Sequence, residues 1–203
     1  MLVWAFAGTA ATAADLDVQV RSQNGAPVRD AVVALHLVQQ PTPLPKAAGN
    51  YAIDQRNIQF HPFVTVIPVG ANVAFLNHDP VRHHVYSFSE AKTFELKLSE
   101  RQVNRVVNFD KVGIVPLGCN IHDRMIAFID VVDTPWAIKT NANGDASFRD
   151  VPAATVEIDV WHPYLRAPGN HISRMTTLGT GPAQRQNFRI ALRSPPRPPD
   201  ANY

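Results

Sequence analysis

A chain of 203 residues with 45% hydrophobic and 18% charged residues has the make-up of an ordinary globular protein of one large or two small domains. Its 17 prolines argue against long helices, and a formal charge of +2 with no Lys/Arg cluster gives no footing for nucleic-acid binding. With one cysteine there is no internal disulfide.

Residues 1–14 run from apolar into small side chains, and Ala11-Thr12-Ala13 fits a cleavage site. They read as a signal-peptide remnant of an exported, periplasmic protein, although the positively charged start of such a signal is missing. The apolar run is too short to span a bilayer, so no transmembrane segment is expected.

Residues 15–20 alternate, with Leu16, Val18 and Val20 on one face, which predicts a half-buried strand. Asn24-Gly25 marks a turn and residues 31–38 a second strand. The proline-rich residues 41–49 cannot join a central ladder. Short β-branched or aromatic strands follow at 63–67, 72–76, 85–88, 93–98 and 102–109, separated by Gly, Pro, Asn and Asp. Apolar runs at 112–117 and 126–132 flank a short loop.

Beyond residue 132 the pattern changes. Residues 140–145 form a turn around Asn143-Gly144, and 155–161 alternate with Val156, Ile158 and Val160 inward. Phe188, Ile190 and Leu192 mark the last strand, and residues 162–186 read as a long Gly/Pro-rich connection. The proline-rich tail 194–203 is expected to be disordered. No stretch carries a long helical period, so the chain is all-β and of sandwich type.

The chemistry gathers in the loop Gly118-Cys119-Asn120-Ile121-His122-Asp123-Arg124-Met125. A thiolate, an imidazole and a thioether at three-residue spacing are soft or borderline donors, a set that suits copper once a second histidine joins it. The segment Asn77-His78-Asp79-Pro80-Val81-Arg82-His83-His84-Val85 offers that histidine twice over, as His83 or His84. Cys119 alone would more often be a small buried hydrophobe, but the combined spacing favours a metal. Asn77 either hydrogen-bonds around the site or serves its own turn. His36, His61, His78, His162 and His171 read as surface or structural histidines. A multicopper oxidase would need further His-x-His pairs, and no Ser/His/Asp pattern, paired-carboxylate motif or phosphate loop appears, so an enzyme is not expected.

Residues 57–133 resemble the cupredoxins, particularly their amicyanin-like and plastocyanin-like members. The residues that carry the match are Phe60-His61-Pro62, Val69-Gly70, Phe75-Leu76-Asn77-His78-Asp79, His83-His84-Val85, Phe94 and the Cys119–Met125 loop. The resemblance implies a Greek-key sandwich holding one type 1 copper ion, with His83, Cys119 and His122 as its strong ligands and Met125 as a weak axial one. His84 stands where the family usually has Asn or Thr, and with Asn77 is placed next to the ligands. The implied role is one-electron transfer with a redox protein. Acid would protonate His122 in the reduced state, by analogy with its family counterpart. The flanks, from Gly25 to Leu35 and from Thr140 to Pro163, resemble the two halves of a carboxypeptidase-regulatory-like, transthyretin-type domain. The expected architecture is therefore a cupredoxin domain, residues 56–133, inserted into a discontinuous sandwich of residues 15–55 and 134–193. Two other roles compete with electron transfer: copper handling as a chaperone or sensor, and an envelope-binding module in which the copper domain is structural.

Overall fold

The structure is a computed structural model that describes residues 13–101 and 105–194. The tail from residue 195 and most of the proposed leader, residues 1–12, lie outside the described residues. Strands β1 (Ala13–Ser22) and β2 (Val32–Leu37) open the described chain. Then come β3 (Tyr51–Arg56), β4 (Gln59–His61), β5 (Val64–Pro68), β6 (Ala71–Asn77), β7 (His83–Phe88), β8 (Thr93–Leu98), β9 (Arg105–Phe109), β10 (Gly113–Cys119) and β11 (Ile126–Val132). The chain closes with β12 (Ala137–Lys139), β13 (Asp145–Pro152), β14 (Thr155–Trp161), β15 (His171–Thr177) and β16 (Gln184–Ile190). The protein is all-β, and none of its described helices is long and apolar enough to cross a membrane.

Alternation of apolar residues builds the first core. Leu16, Val18 and Val20 of β1, Ile158 and Val160 of β14, and Phe188 of β16 are buried together. They lie between a sheet of order β13-β1-β16 and one of order β12-β2-β14-β15. Gly144 is required where it stands: its φ is +75°, and a Cβ there would lie 2.3 Å from the Val20 carbonyl oxygen. Inside the same core the Thr140 hydroxyl donates to the Val28 carbonyl at 2.7 Å and accepts from the Ala31 amide at 3.0 Å.

The second core is enclosed by the sheets β5-β11-β10-β7-β8 and β4-β3-β6-β9. Phe75, Val85, Leu98, Phe109, Val115, Leu117 and Ile129 fill it, with Cys119 and Met125 at one end. The Phe94 ring stands between those of Phe75 and Phe109, with centroids 5.4 and 6.1 Å away.

Three findings differ from the sequence reading. Ala14, expected in the leader, is a buried strand residue opposite Val151, because β1 begins at Ala13. Residues 51–55 precede the expected boundary, yet in β3 they pair parallel with β6 and bury Ile53 in the second core. The connection 162–186 contains β15, paired with β14 along seven register pairs from Thr155↔Thr177 to Trp161↔His171. Its polar, mostly exposed sequence hid it.

The two cores meet at a seam where Val32 and Trp161 pack on Val64 and Phe128, the last two rings edge to face at 5.7 Å. Asp130 of β11 lies at this seam, only 8% exposed. Burial pushes its carboxyl up to about 7, opposed by His171 and reinforced by Asp159 and Asp133. His171 is itself held above the usual histidine range, first by its 2.8 Å hydrogen bond with Asp159. A carboxyl whose folded pKa lies above its unfolded value of ~3.9 favours the folded state through proton binding, and that contribution is lost as pH rises toward the folded pKa. Histidines His122 and His162, both lowered by burial, oppose this in the acid part of the range, so the comparison must be with a variant. Asp130→Asn should therefore be stabilised relative to the parent protein as pH rises from 5 to 8, by on the order of a few kcal/mol. Thermal or denaturant unfolding of both proteins across that range checks it, and parallel curves would contradict it.

Candidate metal centre

Three side chains converge at one end of the second core. His83 opens β7, Cys119 ends β10, and His122 lies in the turn that leads into β11. The Cys119 Sγ is 3.8 Å from His83 Nδ1 and 3.8 Å from His122 Nδ1, and all three donor atoms lie within 4.8 Å of one another. The two rings meet edge to face with centroids 5.0 Å apart. Sulfur and nitrogen bonded to one ion at ~2.3 and ~2.05 Å, values typical of Zn–S and Zn–N bonds, stand ~3.8 Å apart when the angle at the ion is trigonal. The observed separations match that requirement, and a thiolate with two imidazoles is a donor set that copper prefers.

Local folding explains each placement. Strands β10 and β7 pair through Gly118↔Tyr86 and Cys119↔Val85, which fixes the height of the cysteine relative to His83. Gly118 is needed for close approach, because a Cβ there would lie 2.6 Å from the Tyr86 ring. The Asn120 amide donates to the His84 carbonyl at 3.0 Å and the Met125 amide to the His122 carbonyl at 3.0 Å, which closes the loop. Met125 is 2% exposed and packs in the same core cluster as Cys119. Cys119 and Met125 also line a cleft of about 420 Å³ shared with Tyr86, Phe88 and Ile126.

The structure separates the two adjacent histidines. Successive strand residues face opposite ways, so His83 enters the cluster with 1% exposure while the His84 ring faces Glu95 and Asn120, at 3.5 and 3.4 Å. Asn77 is 1% exposed and ties down the loop that carries His83. Its amide donates to the carbonyls of Val81 at 2.8 Å and Ser99 at 2.9 Å, and its oxygen accepts from the Asp79 amide at 2.9 Å. The five remaining histidines lie elsewhere: His61 ends β4, His36 pairs with Asp133 at 2.9 Å, His78 with Asp54 at 3.4 Å and His171 with Asp159 at 2.8 Å, while buried His162 accepts from the Tyr164 amide.

Sequence reading gave Asp79 no role, although the Asn-x-Asp-x-x-x-His spacing contains it. Its Oδ2 accepts from His83 Nε2 at 2.8 Å. Burial pushes the Asp79 carboxyl up, but the hydrogen bonds from His83 and from the Ile58 and Asn57 amides outweigh it and hold the group below its usual range. Burial, aided by the nearby His83, lowers the His122 pKa against a weaker pull from Asp79, so the neutral ring that a metal needs is favoured.

No protein-family model matches the chain, and no curated protein does. Solved structures similar to it include cupredoxins. A purple cupredoxin from Nitrosopumilus maritimus is 21% identical with a TM-score of 0.37, covering 41% of this chain and 100% of that one. A reduced Cu(I) form of an amicyanin variant is 18% identical with a TM-score of 0.37, covering 49% of this chain and 98% of that one. A copper-containing nitrite reductase from Thermus scotoductus is 25% identical with a TM-score of 0.39, over 47% of this chain and only 24% of the reductase.

His83→Ala should weaken stoichiometric metal binding by more than the ~10–100-fold that losing a group hydrogen-bonded to a ligand typically costs, since it removes a converging donor, whereas His84→Ala should change it only a few-fold, since its ring faces Glu95 and Asn120. Competition titration with a chromophoric chelator separates the two, and equal losses would contradict the assignment.

Proposed function

We propose that this protein is a mononuclear type 1 copper protein that carries single electrons to or from a redox protein in an exported, periplasmic setting. The observation that carries the reading is the pair of 3.8 Å separations from the Cys119 sulfur to two imidazole nitrogens. In it His83, Cys119 and His122 are the strong ligands and Met125 is the weak axial one. One thiolate and two imidazoles suit both oxidation states of copper. With His83 and Cys119 fixed on paired strands, a bound copper ion could change oxidation state with little rearrangement of the chain. When bound, copper supplies the one-electron couple. The chain supplies the rigid donors, the covering core and an approach surface. Ile121, inside the ligand loop next to His122, is 55% exposed, and Ile126, just after Met125, is 39% exposed, which suits the approach of a partner protein over the site.

The unit bearing the copper would run from β3 to β11, with the remaining strands forming a transthyretin-like sandwich that holds it across the seam. In this reading Trp161, buried where the two cores meet, is scaffold rather than a ligand-binding aromatic.

Absorption and EPR spectra of the copper-loaded protein test the proposal. One copper per chain should give an intense visible thiolate-to-copper band that Cys119→Ser abolishes, and the band should vanish and return through cycles of reduction and oxidation. A colourless Cu(II) protein overturns the type 1 site. A site that binds Cu(I) tightly and cannot be reoxidised points instead to copper handling.

A further inference from the structure

The His83 ring is held at both nitrogens. Nδ1 faces the Cys119 sulfur at 3.8 Å, and Nε2 meets Asp79 Oδ2 at 2.8 Å, with the imidazole 0% and the carboxylate 8% exposed. If Nδ1 is to offer its lone pair to a metal, the ring proton must sit on Nε2, where a carboxylate accepts it. A backbone carbonyl would hold the same tautomer, but it carries no charge.

Asp79 is itself fixed from several directions. Its Oδ1 accepts from the Asn57 amide at 2.7 Å and its Oδ2 from the Ile58 amide at 3.1 Å. Those two amides form the tight turn between β3 and β4, with φ of +55° at Asn57 and +56° at Ile58. A β-branched residue is unfavourable in that left-handed region, so the turn is strained and the carboxylate holds it together. The Asp79 amide is bound to Asn77 at 2.9 Å, and its carbonyl accepts from the Arg101 amide at 3.2 Å. A buried charge secured in this way cannot turn to water when the site changes oxidation state.

We propose that Asp79 is a positioning residue that lowers the reduction potential of the copper site by placing a fixed negative charge on the far nitrogen of His83. The proposal rests on the copper reading above. Charge counting gives the direction. A divalent copper with one thiolate and the Asp79 carboxylate sums to zero, whereas the monovalent ion leaves a net negative charge among buried groups, which is unfavourable at low dielectric. The carboxylate also draws on the Nε2 proton and makes Nδ1 a stronger donor, which favours Cu(II) over Cu(I). Removing the charge while keeping the shape reverses both effects.

The test compares the copper-loaded parent protein with Asp79→Asn, each also in an Ile58→Gly background, where glycine adopts the turn conformation without the carboxylate's help. The asparagine variant should show a reduction potential at least 59 mV higher, a tenfold shift in relative affinity toward Cu(I) for a one-electron couple. In the metal-free protein, imidazole ¹⁵N NMR should find the His83 proton on Nε2, and Asp79→Ala should redistribute it between the two nitrogens. A potential unmoved in Asp79→Asn with one copper bound per chain overturns this proposal alone, as does a parent His83 protonated on Nδ1. A parent protein that binds no copper overturns the copper reading and this proposal with it.

Discussion

Donors from two distant parts of the chain must be held about one ion's width apart, and the rest of the molecule depends on that constraint. Cys119 and His83 are 36 residues apart in sequence, yet their donor atoms stand 3.8 Å from one another. The register Cys119↔Val85 sets one coordinate, because it puts the cysteine at the level of the residue two beyond His83. Slipping by one residue would turn every side chain of β10 to the other face and take the sulfur out of the core. Register is therefore fixed by burial: Val115 and Leu117 on β10 and Val85 on β7 are each no more than 1% exposed. His122 needs no such machinery, since the closed turn from His122 to Met125 delivers it three residues from the cysteine. The hydrophobic core sets the distant ligand and the turn sets the near one.

Much of this was legible in the sequence because it rests on short-range patterns. Alternation at Leu16, Val18 and Val20 and at Val156, Ile158 and Val160 marks strands with one face in a core, and those residues are buried as expected. The Cys119, His122 and Met125 spacing located the loop. Strands β3, β4, β12 and β15 were not legible. β4 and β12 have only three residues each, too few for alternation to show, and β15 is largely exposed and presents no buried face to read. β3 follows the proline-rich connection and fully buries only Ile53 and Gln55, with Tyr51 half-buried on the same face. Its partner β6 is parallel and some twenty residues away, with Tyr51 opposite Val73. The choice between His83 and His84 depended on which face of β7 looks inward. The adjacent Val85 and Ser87, both buried, share the His83 face, but only the fold shows that this face is the one toward the cysteine.

The glycines and the left-handed turn show where backbone conformation was given over to the site and its scaffold. Gly118 contributes nothing to packing itself; its value is the space it leaves for the Tyr86 ring against the strand that ends in Cys119. Gly144 serves the other core in the same way, letting its turn approach the β1 backbone closely enough for the Val20 amide to reach the Gly144 carbonyl at 2.7 Å. The Asn57-Ile58 turn is different, since a glycine would fit there without strain and isoleucine is present instead. Its two amides are aimed at Asp79. The strain is offset by charge-assisted hydrogen bonds, which are about twice as strong as neutral ones.

Two buried aspartates make the same point about what a carboxylate needs. Asp79 and Asp130 are similarly hidden, at 6% and 8% exposure, and burial alone pushes both toward the neutral form. They diverge because of what surrounds them. Asp79 receives the His83 ring and two turn amides and stays an anion, whereas at Asp130 burial prevails over the opposing pull of His171, Asp159 and Asp133 add to it, and the carboxyl is pushed up to about 7. Burial sets the cost of charge, and donors decide whether the charge is kept. A committed anion belongs beside the ring it holds, here the His83 imidazole among the converging donors. A carboxyl that is partly neutral near pH 7 belongs in a seam whose first requirement is to stay packed. The fold holds one of each, and the side with the converging hydrogen bonds is the side that carries the thiolate and the two imidazoles.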